Sequence, residues 1–274
     1  MTASSPSSTA SNKSTPAPSR LRLLALLNGL EQEHASAIKS APPRPGLLLP
    51  DCHFATYALR SLRLALLTEP IPCVPCGREV VDIHGDHCLL CLWFGAVVHR
   101  HDDLVRLIHL LARAGFVDAT REHKVDFKDD AGKTRTWKAD LWFPRPILGV
   151  STRPTALDIT VTSEFGHTIV KACGKAPGKA ASYGEKRKND EFLKPLSDAG
   201  IDFVPIAFEV SGGLGPSASP LISYLLQQKA LFTNTPYSEV AAEFWQSLSM
   251  TLQRANAYMI ADRTGPLLDI ATDY

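Results

Sequence analysis

Asp140 and Asp158 are the residues of this sequence whose type and spacing best suit chemistry. Each sits in a short segment of strand-like alternation. In 137–143, Lys138, Asp140 and Trp142 should share one face, with Ala139, Leu141 and Phe143 on the other. In 157–162, Asp158 and Thr160 should lie opposite Leu157, Ile159 and Val161. If the two strands are neighbours, two carboxylates meet on one side of a sheet. They repel each other, and a divalent cation between them relieves that cost. The expectation is a Mg²⁺ site, and Mg²⁺ on carboxylates commonly serves phosphate chemistry. The plainer reading, ordinary strand-edge acids, loses ground to the surroundings: an acid upstream (Glu122), a lysine-rich segment downstream and a cysteine cluster before them.

That cluster is Cys73, Cys76, His87 and Cys91, spaced C-x2-C-x10-H-x3-C. Three thiolates and an imidazole suit tetrahedral zinc, and Cys76-Gly77 has the form of a knuckle turn. Four protein ligands make a closed, structural site. Cys88 is an alternative ligand, while Cys52 and Cys173 read as plain thiols. A Cys-x-x-Cys among six cysteines points to metal in an intracellular protein rather than to disulfides, and the nucleus or cytoplasm is expected.

Around these residues, the 274-residue chain has 45% hydrophobic residues and a net charge of +1, which fits a globular protein with a sizeable core. That charge gives no global basic field, so any nucleic-acid binding must be local. One basic run is present: Lys171, Lys175, Lys179, Lys186, Arg187 and Lys188, although such a run is also how a solvated helix face looks. No apolar run reaches the roughly 20 residues of a membrane helix, and no secretory signal is evident.

The elements that must position the chemistry follow in order. Residues 1–19 read as a disordered tail and 20–69 as a helical linker, with helices over 21–38 and 51–67 separated by a proline-rich break at 42–46. The zinc module spans 70–95. Asp102 is a candidate N-cap for a helix carrying Leu104, Leu107, Ile108 and Leu111, which Gly115 ends. Arg100 and His101 would then lie at a helix start, where a phosphate is favoured; packing of His101 against the zinc loop is the alternative. Asp130-Ala131-Gly132 marks a hairpin between 121–127 and 135–143. A helix from about 180 to 199 carries a stripe of Lys179, Tyr183, Lys186, Asn189, Leu193 and Leu196, which would bring Lys186 toward the sheet. The strand 202–210 follows, with Pro205 arguing for an edge or an irregularity, then Gly212-Gly213 and helices over 217–232 and 237–260. The fold class is α/β: a mixed sheet of about four strands flanked by helices, behind a small zinc module.

The order of motifs is C-x2-C, G-D-H-x3-C, R-H, a helix, Glu122, K-x-D, D-x-T-V, a basic helix and F-x-P-x3-E-x2-G-G. It resembles the C-terminal region of site-specific non-LTR retrotransposon proteins, which pairs a zinc knuckle with a restriction-like endonuclease of the PD-(D/E)xK superfamily. The likeness covers residues 41–263, with 96–262 as the endonuclease domain. It implies a restriction-endonuclease-like fold and a Mg²⁺-dependent domain that nicks target DNA, so that the freed end primes reverse transcription. By position, Asp140 matches the first aspartate, Asp158 the second acid and Glu122 the acid before them. Arg100, His101, Lys138, Lys179 and Lys188 would contact DNA, with RNA as a second partner. Two positions depart from the pattern: Ala139 stands for the usual proline and Thr160 for the usual lysine. The resemblance implies that the following helix supplies that lysine, from Lys186 or Lys188, to offset charge at the phosphate or orient water. No polymerase motif is present, so a fragment, a degenerate copy or a domesticated domain is expected. The rival expectation is a zinc-containing nucleic-acid-binding relic without cleavage; a third is a zinc-stabilised module that binds protein.

Overall fold

The computed structural model describes residues 20–31, 48–92, 95–129 and 131–264. The expected tail at 1–19, the break at 42–46, the end of the first helix and Asp130 lie outside the described residues. Among the described residues no helix is long and apolar enough to cross a membrane.

The architecture is mixed α/β. A four-stranded sheet runs in the order β3 (Thr120–Lys128), β4 (Thr134–Phe143), β5 (Thr155–Thr162), β6 (Asp202–Glu209). The first two pairings are antiparallel and β5–β6 is parallel. Pro205 is accommodated because β6 is an edge strand. One face of the sheet packs on α4 (Ala96–Ala114), α7 (Ser219–Thr233) and α8 (Tyr237–Thr264) through Leu104, Ile108, Leu141, Leu157, Ile206 and Leu221. The other face takes α6 (Lys179–Asp198) through Ala139, Ala156, Phe192, Leu196 and Phe203. Ahead of the sheet lie α1 (Arg20–Leu30), α2 (Asp51–Ser61), the two-residue strands β1 (Ile71–Pro72) and β2 (Val80–Val81), and α3 (Asp86–Leu90). A short α5 (Val170–Cys173) precedes α6.

Three helices differ from their sequence reading. α2 ends at Ser61 rather than at 67, and Arg63 just beyond it takes a left-handed φ of 55°. α4 begins at Ala96, so Asp102 lies inside the helix and caps nothing. Its buried stripe starts a turn earlier than expected, with Arg100 preceding Leu104, Ile108 and Leu111 at helical spacing. α6 presents Ala181, Gly184, Phe192 and Leu196 to the sheet, leaving Tyr183, Lys186 and Leu193 exposed. The expected stripe is rotated because small residues set the contact. A Cβ on Gly184 would meet Thr162 Oγ1 at 2.6 Å and Ala207 Cβ at 3.1 Å, so glycine lets the helix lie against β5 and β6. The N-terminus of α6 is satisfied by Glu209, whose Oε1 accepts from the amides of Ala180 and Ala181 at 2.9 and 3.2 Å.

Strict alternation also fails in β4. Leu141 and Phe143 face the α4 side as expected, but Ala139 joins Trp137 and Trp142 on the α6 side. The pleat changes phase at Asp140. Across the hairpin, pairing is recorded for Arg121↔Leu141 and His123↔Ala139 but not for Glu122 with Asp140 between them. Glu122 has φ 55°, left-handed backbone that a non-glycine residue adopts at a cost of about 1–3 kcal/mol. His123 is thereby turned to the α6 side, where it stacks on Trp142 at 4.7 Å.

Candidate metal centre and carboxylate site

The cysteine cluster is built by two local turns. β1 and β2 form a hairpin whose loop carries Cys73 and Cys76, closed by hydrogen bonds from Cys73 N to Glu79 O and from Gly77 N to Cys73 O. Gly77 supplies the positive φ, 61°, that this turn requires. α3 then presents His87, with Cys91 one helical turn on, and its start is held by Asp82, which accepts from the amides of His84 and His87. The ligand atoms of Cys73, Cys76, His87 and Cys91 all lie within 4.8 Å of one another. Cys73 Sγ is 3.9 Å from Cys91 Sγ, close to the edge of about 3.8 Å that tetrahedral Zn–S bonds generate. Cys76 Sγ is 3.5 Å from His87 Nε2. The set therefore fits a metal such as zinc. Amide hydrogen bonds, chiefly at Arg78, bring the Cys76 thiol down to about 6, while burial pushes Cys73 up to about 11. A bound cation would take both as thiolates. Cys88 is fully buried in the apolar cluster behind the site and is not one of the four ligands.

This module shares its core with the rest of the chain. Cys73, Cys88, Leu89 and Cys91 pack with Leu26 of α1, Phe165, Val210, and Met259 and Ile260 of α8. A buried ion cluster ties it down: Asp86, 1% exposed, receives Arg63 at 2.7 and 2.5 Å and Arg22 at 3.1 Å, with Arg60 at 3.6 Å. Burial alone would raise the Asp86 carboxyl; Arg63, Arg60 and Arg22 outweigh it and hold it below the usual range.

The carboxylate site is assembled from four elements. β4 and β5 pair at Phe143↔Thr155, Trp142↔Ala156 and Leu141↔Leu157, and the ladder stops there. The next step of that register sets Asp140 opposite Asp158. Where the strands part, the amide of Ile159 donates to Asp140 Oδ2 at 2.6 Å in place of a backbone carbonyl. α4 brings His101 Nε2 to the same oxygen at 3.0 Å, with His101 Nδ1 against Asp102 at 3.1 Å. The Asp140 hydrogen bond chiefly raises the imidazole to about 9. From α6, Lys188 Nζ reaches Asp158 Oδ2 at 2.7 Å. Asp158 is 6% exposed; burial pushes its carboxyl up, Lys188 opposes this and the charge on Asp140 reinforces it.

The other sequence candidates fall elsewhere. Lys186 points to solvent and pairs with Asp190 one helical turn away, so the lysine at the carboxylates is Lys188. Glu122 turns outward and pairs with Lys138 at 3.3 Å, both largely exposed. Arg100 is 3% exposed and donates to Asn256 Oδ1 at 3.0 Å, and burial lowers its guanidinium to about 10. It is a core residue and cannot reach a nucleic acid. Lys179 is exposed at the start of α6.

Sequence reasoning missed two features. One is the arginine cluster on Asp86, signalled only by the spacing of Arg60 and Arg63. The other is Glu164, 1% exposed, whose Oε1 accepts from the amide and hydroxyl of Ser211 while Oε2 has no hydrogen-bond partner among the described residues. Burial first, then Glu209, pushes the Glu164 carboxyl up to about 7. Nothing in the local sequence marks it.

Compared with protein-family models, curated proteins and solved structures, the chain matches none of them.

Proposed function

We propose that this chain is a restriction-like, Mg²⁺-dependent DNA endonuclease domain, of the kind that resembles the C-terminal region of non-LTR retrotransposon proteins. One observation carries the reading. Asp140 and Asp158 fall at opposed positions where β4 and β5 separate, with Lys188 on Asp158. Carboxylates from neighbouring strands beside a helix-borne lysine are what metal-assisted phosphodiester hydrolysis requires.

The register sets the two carboxylates at opposed positions, and burial, reinforced by the charge on Asp140, pushes the Asp158 carboxyl up, a cost that a cation between them would relieve. Mg²⁺ would be held by Asp140 and Asp158, and it would stabilise charge on the scissile phosphate and activate water. The chain's own groups do the rest. The Ile159 amide and His101 fix the Asp140 carboxylate, and Lys188 offsets charge at the phosphate or orients the water. Glu122 and Lys186 have no part at the reacting atoms, and Arg100 belongs to the core.

The competing reading is a nucleic-acid-binding module without cleavage. His101 and Lys188 already balance the two carboxylates, which is the state such a module would keep. Nicking of supercoiled plasmid with and without Mg²⁺ separates the two, using wild type, Asp140→Asn and Asp158→Asn. The nuclease reading expects Mg²⁺-dependent nicking that either substitution reduces at least about a hundredfold. Equal nicking by Asp140→Asn would overturn the site, and DNA binding without nicking would favour the binding module.

A further inference from the structure

α6 carries two adjacent cations over the sheet, and only Lys188 is used by the carboxylate pair. Arg187 is exposed, and its Nη2 donates to Thr160 Oγ1 at 3.5 Å. Thr160 lies on the same face of β5 as Asp158, two residues and so about 7 Å further along the strand. Gly184 permits this arrangement: its missing Cβ would also stand 3.2 Å from Thr160 Cγ2. The neighbouring cations of α6 are neutralised, Lys186 by Asp190, Lys188 by Asp158 and Lys194 by Asp198. Among the described residues Arg187, like Lys179 at the start of the helix, pairs with no carboxylate, and of the two only Arg187 lies against the sheet beside Asp158. It therefore presents uncompensated positive charge and a planar fork of donors beside a hydroxyl that can donate or accept. Guanidinium forks of this kind recognise phosphate in two-point fashion.

We propose that Arg187 and Thr160 form a subsite for a second, non-scissile phosphate of the DNA strand, one step along β5 from the carboxylate pair. The subsite's place beside a scissile phosphate rests on the nuclease reading; its affinity for phosphate does not.

The test is fluorescence anisotropy of a short labelled duplex across a salt series without added Mg²⁺, together with plasmid nicking in Mg²⁺. Proteins are wild type, Arg187→Ala, Arg187→Lys and Thr160→Val, with thermal melts to verify folding. Arg187→Ala should weaken binding roughly tenfold, the size of one charge-assisted contact. It should also reduce the slope of log affinity against log salt by about 0.9, the signature of one lost phosphate on duplex DNA. Arg187→Lys should restore the slope but only part of the affinity, and Thr160→Val should lose less than Arg187→Ala. In nicking, KM should rise more than kcat falls. Identical affinity and slope for wild type and Arg187→Ala would overturn the subsite, as would wild-type binding insensitive to salt. A wild type that binds with an Arg187-dependent slope yet never nicks would sink the nuclease reading and leave the subsite standing. Nicking with unchanged KM and binding in Arg187→Ala would do the reverse.

Discussion

The Cys73–Cys91 cluster and the Asp140–Asp158 pair both gather metal-ligating side chains, but they are built in opposite ways. The first draws all four ligands from 19 consecutive residues, 73 to 91, through a hairpin turn and one turn of helix. The second draws His101, Asp140, Asp158 and Lys188 from α4, β4, β5 and α6, so it exists only when the sheet and its two helix layers have formed. A local site can stabilise the chain that makes it. A nonlocal one is stabilised by the fold and is free to hold groups in costly states, such as a buried aspartate. Different responses to substitution should follow.

The largest expected effect is on the local site. Cys91→Ser or Cys73→Ser should lose bound zinc, about one per chain in the wild type, and with it several kcal/mol of stability, since structural zinc binding is folding free energy. Metal analysis and thermal melting check this, and folded wild type without zinc would remove the contrast. Next comes the clamp that joins the module to the core. Asp86→Ala leaves Arg63, Arg60 and Arg22 facing one another in the interior and should cost about 3–5 kcal/mol in urea unfolding.

Arg100→Ala sharpens the comparison from the core side. It removes the donor to Asn256 Oδ1 and should cost about 2–3 kcal/mol while leaving the salt dependence of DNA binding unchanged. Glu164 adds a pH dependence. Its carboxyl lies at about 7 in the fold against 4.5 ordinarily, so folding binds the proton more tightly than the unfolded chain does. That contribution is complete below pH 4.5 and is lost as pH rises through 7. Glu164→Gln should therefore flatten the stability profile across that window and raise stability at pH 8. His101 behaves oppositely in chemistry but has the same sign in pH. Its contribution is complete below 6.5 and is lost as pH rises through about 9, which an NMR titration of the imidazole would follow. The smallest effect belongs to Lys186→Ala, within about 0.5 kcal/mol, because its pair with Asp190 is exposed.

The same contrast explains what could be read from the sequence. The cysteine cluster was legible because its geometry is set by residues close in the chain. The four strands and the hairpin were legible from alternation and turn residues, while Pro205 left an edge or an irregularity open for β6, and the strand is the edge. Asp140 and Asp158 were legible as acids of two neighbouring strands, and the register sets them opposite each other although the alternation expected around Asp140 fails. Helix rotation was not. Lys186 was expected inside because a stripe drawn through Tyr183 and Leu193 favours large residues, whereas the contact is set by Ala181 and Gly184, which pack closely by being small. Arg100 was expected outside because a charged residue near a supposed helix start suggests phosphate. The helix starts earlier, and Arg100 falls on the buried stripe. The phase change at Asp140 depends on a left-handed Glu122 in the partner strand, which no local pattern announces.

The central claim is that the lysine of the carboxylate site is Lys188, carried inward by α6, and not its neighbour two residues earlier. Plasmid nicking in Mg²⁺ by wild type, Lys188→Ala and Lys186→Ala tests it most directly, with metal content and DNA affinity measured on the same preparations. The account predicts that Lys188→Ala loses most of the nicking rate and Lys186→Ala keeps it. Full nicking by Lys188→Ala, or its loss in Lys186→Ala alone, would contradict the site.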